Sequence, residues 1–449
     1  MDGAAKDDLI LSLISRLDRL EAEIVVLRAE NAELRGRLGL PPKTPENSSL
    51  PPSRGAKASE PAAAKPKARP HGGSHRALHP DPAERRDLFA GVCGHCGADV
   101  RTCPQEALEA YDHIEIPPVA PRVTRVTLHG GVCPACAKGF KADAPADMPK
   151  GSPFGPNLRA QALHLRFTQG IGLERLSKLM GDAYGLKISE GALVNMLRQS
   201  APAFAAQAAA IKAGLLAGEV IASDETGMRV GKANWWLWTF HHKENAVFIA
   251  EPSRSKAVPE RFLDGFRPDY WISDRYGGQL GFAARDNQVC LAHLMRDAQY
   301  AIDRGESVIA PAIRHLIARA CRIGRKRNRL AGATLRSYAA KLEAALDAIM
   351  ARKPETPAGL KFHRMIKKTR RHMFVFLDNR EVEPTNNGSE RALRPAVTFR
   401  KITNGFRAAW SARLYADIRS VLETARRRSI GALDAIRLTL AGAALQNPT

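Results

Sequence analysis

Residues 219–226 read Glu219-Val220-Ile221-Ala222-Ser223-Asp224-Glu225-Thr226, a short aliphatic run that ends on acidic side chains. The β-branched and aliphatic content, with Gly218 as punctuation in front, predicts a strand. Two more strand patterns follow, Trp235-Trp236-Leu237-Trp238-Thr239-Phe240 and Ala246-Val247-Phe248-Ile249-Ala250, separated by the polar turn His242-Lys243-Glu244-Asn245. A short helix is predicted from Val258 to Leu263. Tyr270-Trp271-Ile272-Ser273-Asp274 is then a further strand, and it too ends in an aspartate. Three strands, a helix and a fourth strand predict the opening of an RNase-H-like α/β core, in which carboxylates on neighbouring strand ends can share metal ions.

That core is one part of a longer chain. At roughly 150 residues per domain, 449 residues allow about three folded units. The composition, 44% apolar and 25% charged, supports substantial cores. Lys+Arg 68 against Asp+Glu 46 leaves a net charge of +22, which calls for a polyanionic partner more than for a neutral metabolite. No apolar run approaches the ~18 residues a bilayer crossing needs. Met1-Asp2-Gly3 is acidic where a signal peptide is basic, so a cytoplasmic protein is expected. Two Cys-x-x-Cys pairs among seven cysteines point to metal before disulfides.

Upstream of the core the chain changes character three times. Over residues 6–40, Ile10, Leu17, Ile24, Asn31 and Leu38 recur every seven residues, with Leu13, Leu20, Leu27 and Leu34 between them. Isoleucine at a and leucine at d predict a parallel two-stranded coiled coil, hence a homodimer or higher assembly; a single amphipathic helix on its own domain is the alternative. Residues 41–86 are rich in Pro, Ala, Lys, Ser and Gly and predict a disordered basic linker, including Asn47-Ser48-Ser49-Leu50-Pro51-Pro52-Ser53. Residues 87–150 carry Cys93-Gly94-His95-Cys96 and Cys133-Pro134-Ala135-Cys136, whose four thiolates suit one structural Zn²⁺. Between them Ile114, Ile116, Val119, Val123, Val126 and Leu128 predict a β-hairpin, giving a zinc ribbon-like segment. Over 156–217 the pattern turns helical, with Leu173, Leu176, Leu179 and Met180, then Gly185, then Ser189 capping a helix with Leu193, Met196 and Leu197 inside. This resembles a helix-turn-helix whose outward Glu190, Asn195, Arg198 and Gln199 reach base edges or phosphates.

Downstream, a helical and strongly basic insertion spans about 294–380 within a catalytic domain of 218–410. Residues 411–449 read as C-terminal helices. Ser223-Asp224-Glu225-Thr226, Ser273-Asp274-Arg275-Tyr276, Cys290-Leu291-Ala292-His293-Leu294 and Asn386-Asn387-Gly388-Ser389-Glu390-Arg391-Ala392-Leu393-Arg394-Pro395, with Arg400-Lys401, look like the motifs of the insertion-sequence-sixty-six family of bacterial DDE transposases. The likeness runs over nearly the whole chain, since that family also has an N-terminal coiled helix, a Ser/Pro-rich tether, a zinc-binding segment and a helix-turn-helix. It implies Asp224, Asp274 and Glu390 as a catalytic triad holding two Mg²⁺ ions. Two departures stand out: Thr385 occupies a position where the family often has aspartate, and His71-Gly72-Gly73-Ser74-His75 matches its linker only loosely.

Hard oxygen ligands suit Mg²⁺, and two such ions about 3.5–4 Å apart can stabilise charge on the attacking and leaving oxygens of an in-line phosphodiester displacement. Strand alternation sends Glu225 away from Asp224, to the opposite face. His293, Cys290 and Asn387 are expected to support the site, and Arg391, Arg394, Arg400 and Lys401 to grip phosphates near the cut. The expected partner is double-stranded DNA, as element ends and target, in the bacterial cytoplasm at the nucleoid, beside accessory proteins of the same element. A DNA-binding regulator that has lost catalysis, or a hydrolytic nuclease on the same fold, remain the rival readings.

Overall fold

The computed structural model describes residues 3–37, 43–45, 47, 76–275 and 284–446. Leu38, most of the linker (His71 to His75 included) and Tyr276 lie outside the described residues, as does the side chain of Ile10. The protein is mixed α+β: among the described residues, twelve α-helices accompany one sheet of five strands and one of two.

Helix α1 (Gly3–Arg37) is continuous over the heptads, and Leu13, Leu17, Leu20, Ile24, Leu27 and Leu34 are all exposed on it. These side chains are left uncovered by the rest of the described chain. The linker's composition conceals one anchor. Asn47 is buried; its Oδ1 accepts the Thr44 amide at 2.7 Å and its Nδ2 donates to Asp303 Oδ2 at 2.8 Å.

The two cysteine knuckles have matching backbones. The Cys93 amide bonds to the Ala98 carbonyl and the Gly97 amide to the Cys93 carbonyl; Cys133 with Lys138 and Ala137 with Cys133 repeat the pattern. Gly97 and Ala137 both take the left-handed conformation this turn demands, at φ 74° and 55°. The only strands among the described residues of this segment are β1 (Gly130–Val132) and β2 (Gly139–Lys141), which flank the second knuckle. The hairpin predicted between the pairs is not formed: Ile114, Ile116, Val119, Val123 and Val126 are exposed and outside any strand. Alternating apolar residues make a strand only where something covers one face, and Pro117, Pro118 and Pro121 remove ladder donors here.

Helix α2 (Pro156–Leu163) leads to α3 (Leu173–Tyr184), which stops at Gly185 with φ 64°. Ser189 then caps α4 (Glu190–Leu216), its Oγ accepting the Ala192 amide at 3.2 Å. This is the predicted turn between two helices, yet α4 runs for 27 residues and its second half packs into the core through Phe204, Ile211 and Leu215.

The central sheet has the order β5-β4-β3-β6-β7. Strands β3 (Val220–Val230), β4 (Ala233–His242) and β5 (Asn245–Glu251) form an antiparallel meander. Helix α5 (Ala257–Leu263) crosses to β6 (Tyr270–Ser273), parallel to β3, and β7 (Asp286–Val289) is parallel to β6. Alternation divides the core: Ile221 and Trp271 join one apolar cluster with Trp238 and Phe240, while Val220, Ala222, Tyr270 and Ile272 join another. The second cluster is completed by α6 (Leu291–Asp303), α7 (Ile309–Lys326), α8 (Gly332–Met350) and α9 (Pro357–Thr369), the predicted insertion. Glu306 ties that insertion together, one oxygen accepting the Val308 and Ile309 amides and the other the amides of Glu355 and Thr356. The chain returns to the sheet as α10 (Asn387–Thr403). Helix α11 (Ala409–Arg427) packs on β5, where Ser420 and Thr424 hydroxyls accept the Phe248 and Ala246 amides, and α12 (Ala432–Leu440) follows.

Candidate active site

Asp224 lies within β3 and Asp274 immediately beyond β6. The parallel register pairs Val220 with Tyr270, Ile221 with Trp271 and Ala222 with Ile272, so both aspartates stand two residues past the last pair, on the same face. Neighbouring strands are ~4.8 Å apart, which places the two carboxylates side by side. Glu390, in the first turn of α10, lies near enough for its charge to act on Asp224 across a sequence gap of more than a hundred residues. Burial, then the charges of Asp274, Glu225 and Glu390, hold the Asp224 carboxyl well above the usual carboxylate range. Mutual repulsion of this kind is the signature of acids sharing one site.

Helix α6 supplies the surroundings. Arg296 Nη2 bonds Glu390 Oε1 at 3.2 Å, and His293 Nε2 lies 3.9 Å from the same oxygen. Burial first, and then Arg296, lower the His293 pKa against the pull of Asp274 and Glu390, which keeps the imidazole neutral at pH 7. Arg275 pairs with Asp297. Glu225 points away, as alternation demands, and is bonded by Arg254 at 2.7 Å.

A buried chain of hydrogen bonds fixes α10 against the sheet. His241 Nε2 contacts Ser389 Oγ at 2.8 Å, and Ser389 donates to Asn386 Oδ1 at 2.6 Å. Ser389 has one hydroxyl proton, so the histidine is the donor in the first bond. Asn386 Nδ2 then donates to the Ser223 carbonyl at 2.8 Å, and the Asn386 amide donates to Cys290 Sγ at 3.1 Å. Burial pushes the Cys290 thiol up, so it stays protonated. Cys290 thus holds the residue in front of α10. The supporting asparagine is Asn386, while Asn387 is exposed beside it. His241, Ser389 and Asn386 escape a reading of the sequence because each is an ordinary core position until the fold joins them.

Residues 151–414 match the model of the family described as Transposase IS66 family. The chain belongs to the IS66 transposase family. No curated protein matches it. The match begins ahead of α2 and ends within α11, so it contains the sheet, the insertion and every acid discussed above.

In this IS66 transposase the three carboxylates suit a hard dication in their chemistry, and their repulsion around Asp224 is what a cation would relieve. Among the described residues, no three His, Cys, Asp or Glu side chains converge closely enough to share one ion. The triad is therefore in electrostatic contact without being drawn to ligating distance. The same holds for the cysteines: each knuckle gathers its own pair, but the four are not brought together. Amides of the knuckles, His95 and Cys96 in the first and Cys136 and Ala135 in the second, lower the pKa of Cys93 and Cys133. Such amides aimed at sulfur fit a thiolate metal ligand.

Asn195, Arg198 and Gln199 are exposed along α4, and the Arg198 guanidinium lies 4.9 Å from the Trp410 ring centre. Arg391, Arg394 and Lys401 are exposed on α10, whereas Arg400 is engaged with the Gly227 carbonyl of β3. No helix of the described residues is long and apolar enough to cross a membrane.

Proposed function

We propose that this IS66 transposase binds element ends as double-stranded DNA and carries out divalent-metal-dependent strand cleavage and strand transfer, with Asp224, Asp274 and Glu390 as the metal-binding acids. The observation that carries the reading is that the charges of Asp274, just past β6, and Glu390, on α10, both act on the buried Asp224 of β3. The strand order, an antiparallel three-stranded meander followed by two parallel strands, supports an RNase-H-like core.

Two Mg²⁺ ions, when bound, stabilise charge on the attacking and leaving oxygens. Asp224, Asp274 and Glu390 would hold them. Arg296 holds the Glu390 carboxylate in place, with the neutral His293 beside it. In the first step water attacks phosphorus, the bond to the 3′ oxygen breaks, and that oxygen leaves protonated as a 3′ hydroxyl. In the second the freed 3′ hydroxyl replaces water and attacks a target phosphodiester: the new 3′ O–P bond forms as the target's own P–O3′ bond breaks, and the departing 3′ oxygen takes up the proton.

Asn195, Arg198 and Gln199 on α4 would meet the major groove, while Arg391, Arg394 and Lys401 would meet phosphates near the cut. The exposed leucine and isoleucine seam of α1 would pair two copies, and Cys93, Cys96, Cys133 and Cys136 would close around one structural Zn²⁺ once the knuckles meet.

The test is incubation of the protein with a labelled element end and Mg²⁺, beside Asp274→Ala. Cleavage by the native protein alone is expected. Equal cleavage by both overturns the assignment of the acids, and binding with no cleavage by either favours a DNA-binding regulator.

A further inference from the structure

A cavity of about 990 Å³ opens beside the acids and is not accounted for by them. Its floor is Ala222 and Ile272. These lie two residues before Asp224 and Asp274 on the same strands and the same face, so the floor is ~6.6 Å from the carboxylates along the sheet. One wall is the first two turns of α10, presenting Asn387, Gly388, Arg391 and Arg394, with the positive end of that helix facing the space.

The lining carries seven arginine and lysine side chains against two glutamates, and Glu423, outside the lining, pairs with Arg426 and Arg427. Both glutamates are already matched: Glu381 pairs with Lys243, and Glu383 with Arg327 at 2.7 Å. Arg391 and Arg394 have no ion pair or hydrogen bond among the described residues and are exposed into the cavity. The charges press on one another. Behind the larger effect of burial, Arg427 and Arg391 push the His241 imidazole toward its neutral form, and Arg426 and Arg391 do the same to Arg427.

Unmatched cations around a helix N-terminus call for phosphate. The volume narrows the ligand. Pockets of ~300–1,000 Å³ hold small molecules, which leaves room here for a few nucleotides of one strand and none for a paired duplex. No Phe, Trp or Tyr lines the space, so bases have no ring to stack on and the grip falls on the backbone.

We propose that this cavity holds the backbone phosphates of a short unpaired run of one DNA strand adjoining the cleavage point, without regard to its sequence. The inference rests on the transposase reading for the position of the cut, and on the cavity alone for the ligand.

The test uses the full-length protein without divalent cation, so that no cleavage intrudes. Fluorescence anisotropy compares a blunt duplex of arbitrary sequence with the same duplex carrying a single-stranded thymidine extension. The native protein is expected to prefer the extended probe by about tenfold, the scale of one charge-assisted contact. Arg391→Gln combined with Arg394→Gln should cost the extended probe about tenfold more affinity than the blunt duplex, which abolishes that preference. For the extended probe the slope of log affinity against log salt should fall by about 1.4, at ~0.7 per single-strand phosphate. Arg437→Gln on α12, outside the cavity, serves as a control for the loss of an arginine elsewhere and should keep the preference. Equal binding of both probes by the native protein, or an equal loss for both in the double variant, overturns the proposal. A preference that survives in a protein unable to cleave element ends would leave the cavity standing and remove the transposition mechanism instead.

Discussion

Asn386 donates its side-chain amide to the carbonyl of Ser223 at 2.8 Å, and that bond ties the helix of the third acid to the strand of the first. Ser223 is the residue before Asp224, and Glu390 lies one helical turn after Asn386. The second acid is tied in through Ser273, whose carbonyl receives the Cys290 amide at 2.9 Å, while Cys290 Sγ receives the amide of Asn386. Every acid thus sits within one turn or one residue of a single buried hydrogen-bond network.

Asp224→Asn is expected to stop cleavage, by about a thousandfold or more, while raising thermal stability in metal-free buffer. The folded state binds the Asp224 proton more tightly than the unfolded chain, whose carboxyl titrates near 3.8. Stability is therefore lost as pH rises from about 3.8 through the raised folded value, and asparagine escapes that loss. Calorimetry should show the variant melting above the native protein at pH 7, with the difference vanishing toward pH 3.8. Mg²⁺ should raise the native Tm and leave that of the variant unmoved. A lower Tm for the variant at pH 7 would contradict the site's electrostatics.

Ser389→Ala removes the link between His241 and Asn386 and strands two buried polar groups. A loss of about 1–3 kcal/mol in unfolding free energy is expected from urea denaturation. Cleavage should fall, because Glu390 loses its fixed helix start. An unchanged denaturation midpoint would show that the network is not under stress.

Asp417 on α11 has its pKa raised to about 6 by burial and makes no ion pair among the described residues. Its charge costs stability once pH climbs from near 3.8 past about 6. Asp417→Asn should stabilise the protein at pH 7.5 by about 1–3 kcal/mol and have no effect at pH 3.5. Denaturation midpoints at the two pH values decide this; a variant equally stable at both rules it out.

Purified protein should carry one Zn²⁺ per chain by elemental analysis. Cys93→Ser and Cys133→Ser should each lose it, since one missing thiolate opens a four-ligand site. Chelation should release four thiols to a colorimetric reagent and disorder the 87–150 segment without lowering the melting temperature of the core. Retention of the metal in both variants would place it elsewhere.

The sequence by itself determined the parts whose signal is local. Hydrophobic patterning around Asp224 and Asp274 announced two strands, though the first runs on past Asp224 to Val230; the heptads announced α1, Gly185 and Ser189 marked where one helix stops and the next begins, and the helical insertion was visible from its length and charge. Periodicity and capping act within a few residues, so they survive in a one-dimensional string. Only the tertiary structure decided that α4 continues past the helix-turn-helix into the core, that Asn47 is buried against Asp303, and that Ile114 to Val126 form no hairpin. It alone selected Asn386 over Asn387, enlisted His241 and Ser389, and turned scattered arginines into one cationic cavity. Those outcomes depend on which elements meet, because burial, hydrogen-bond partnership and charge repulsion belong to pairs of groups far apart in the chain.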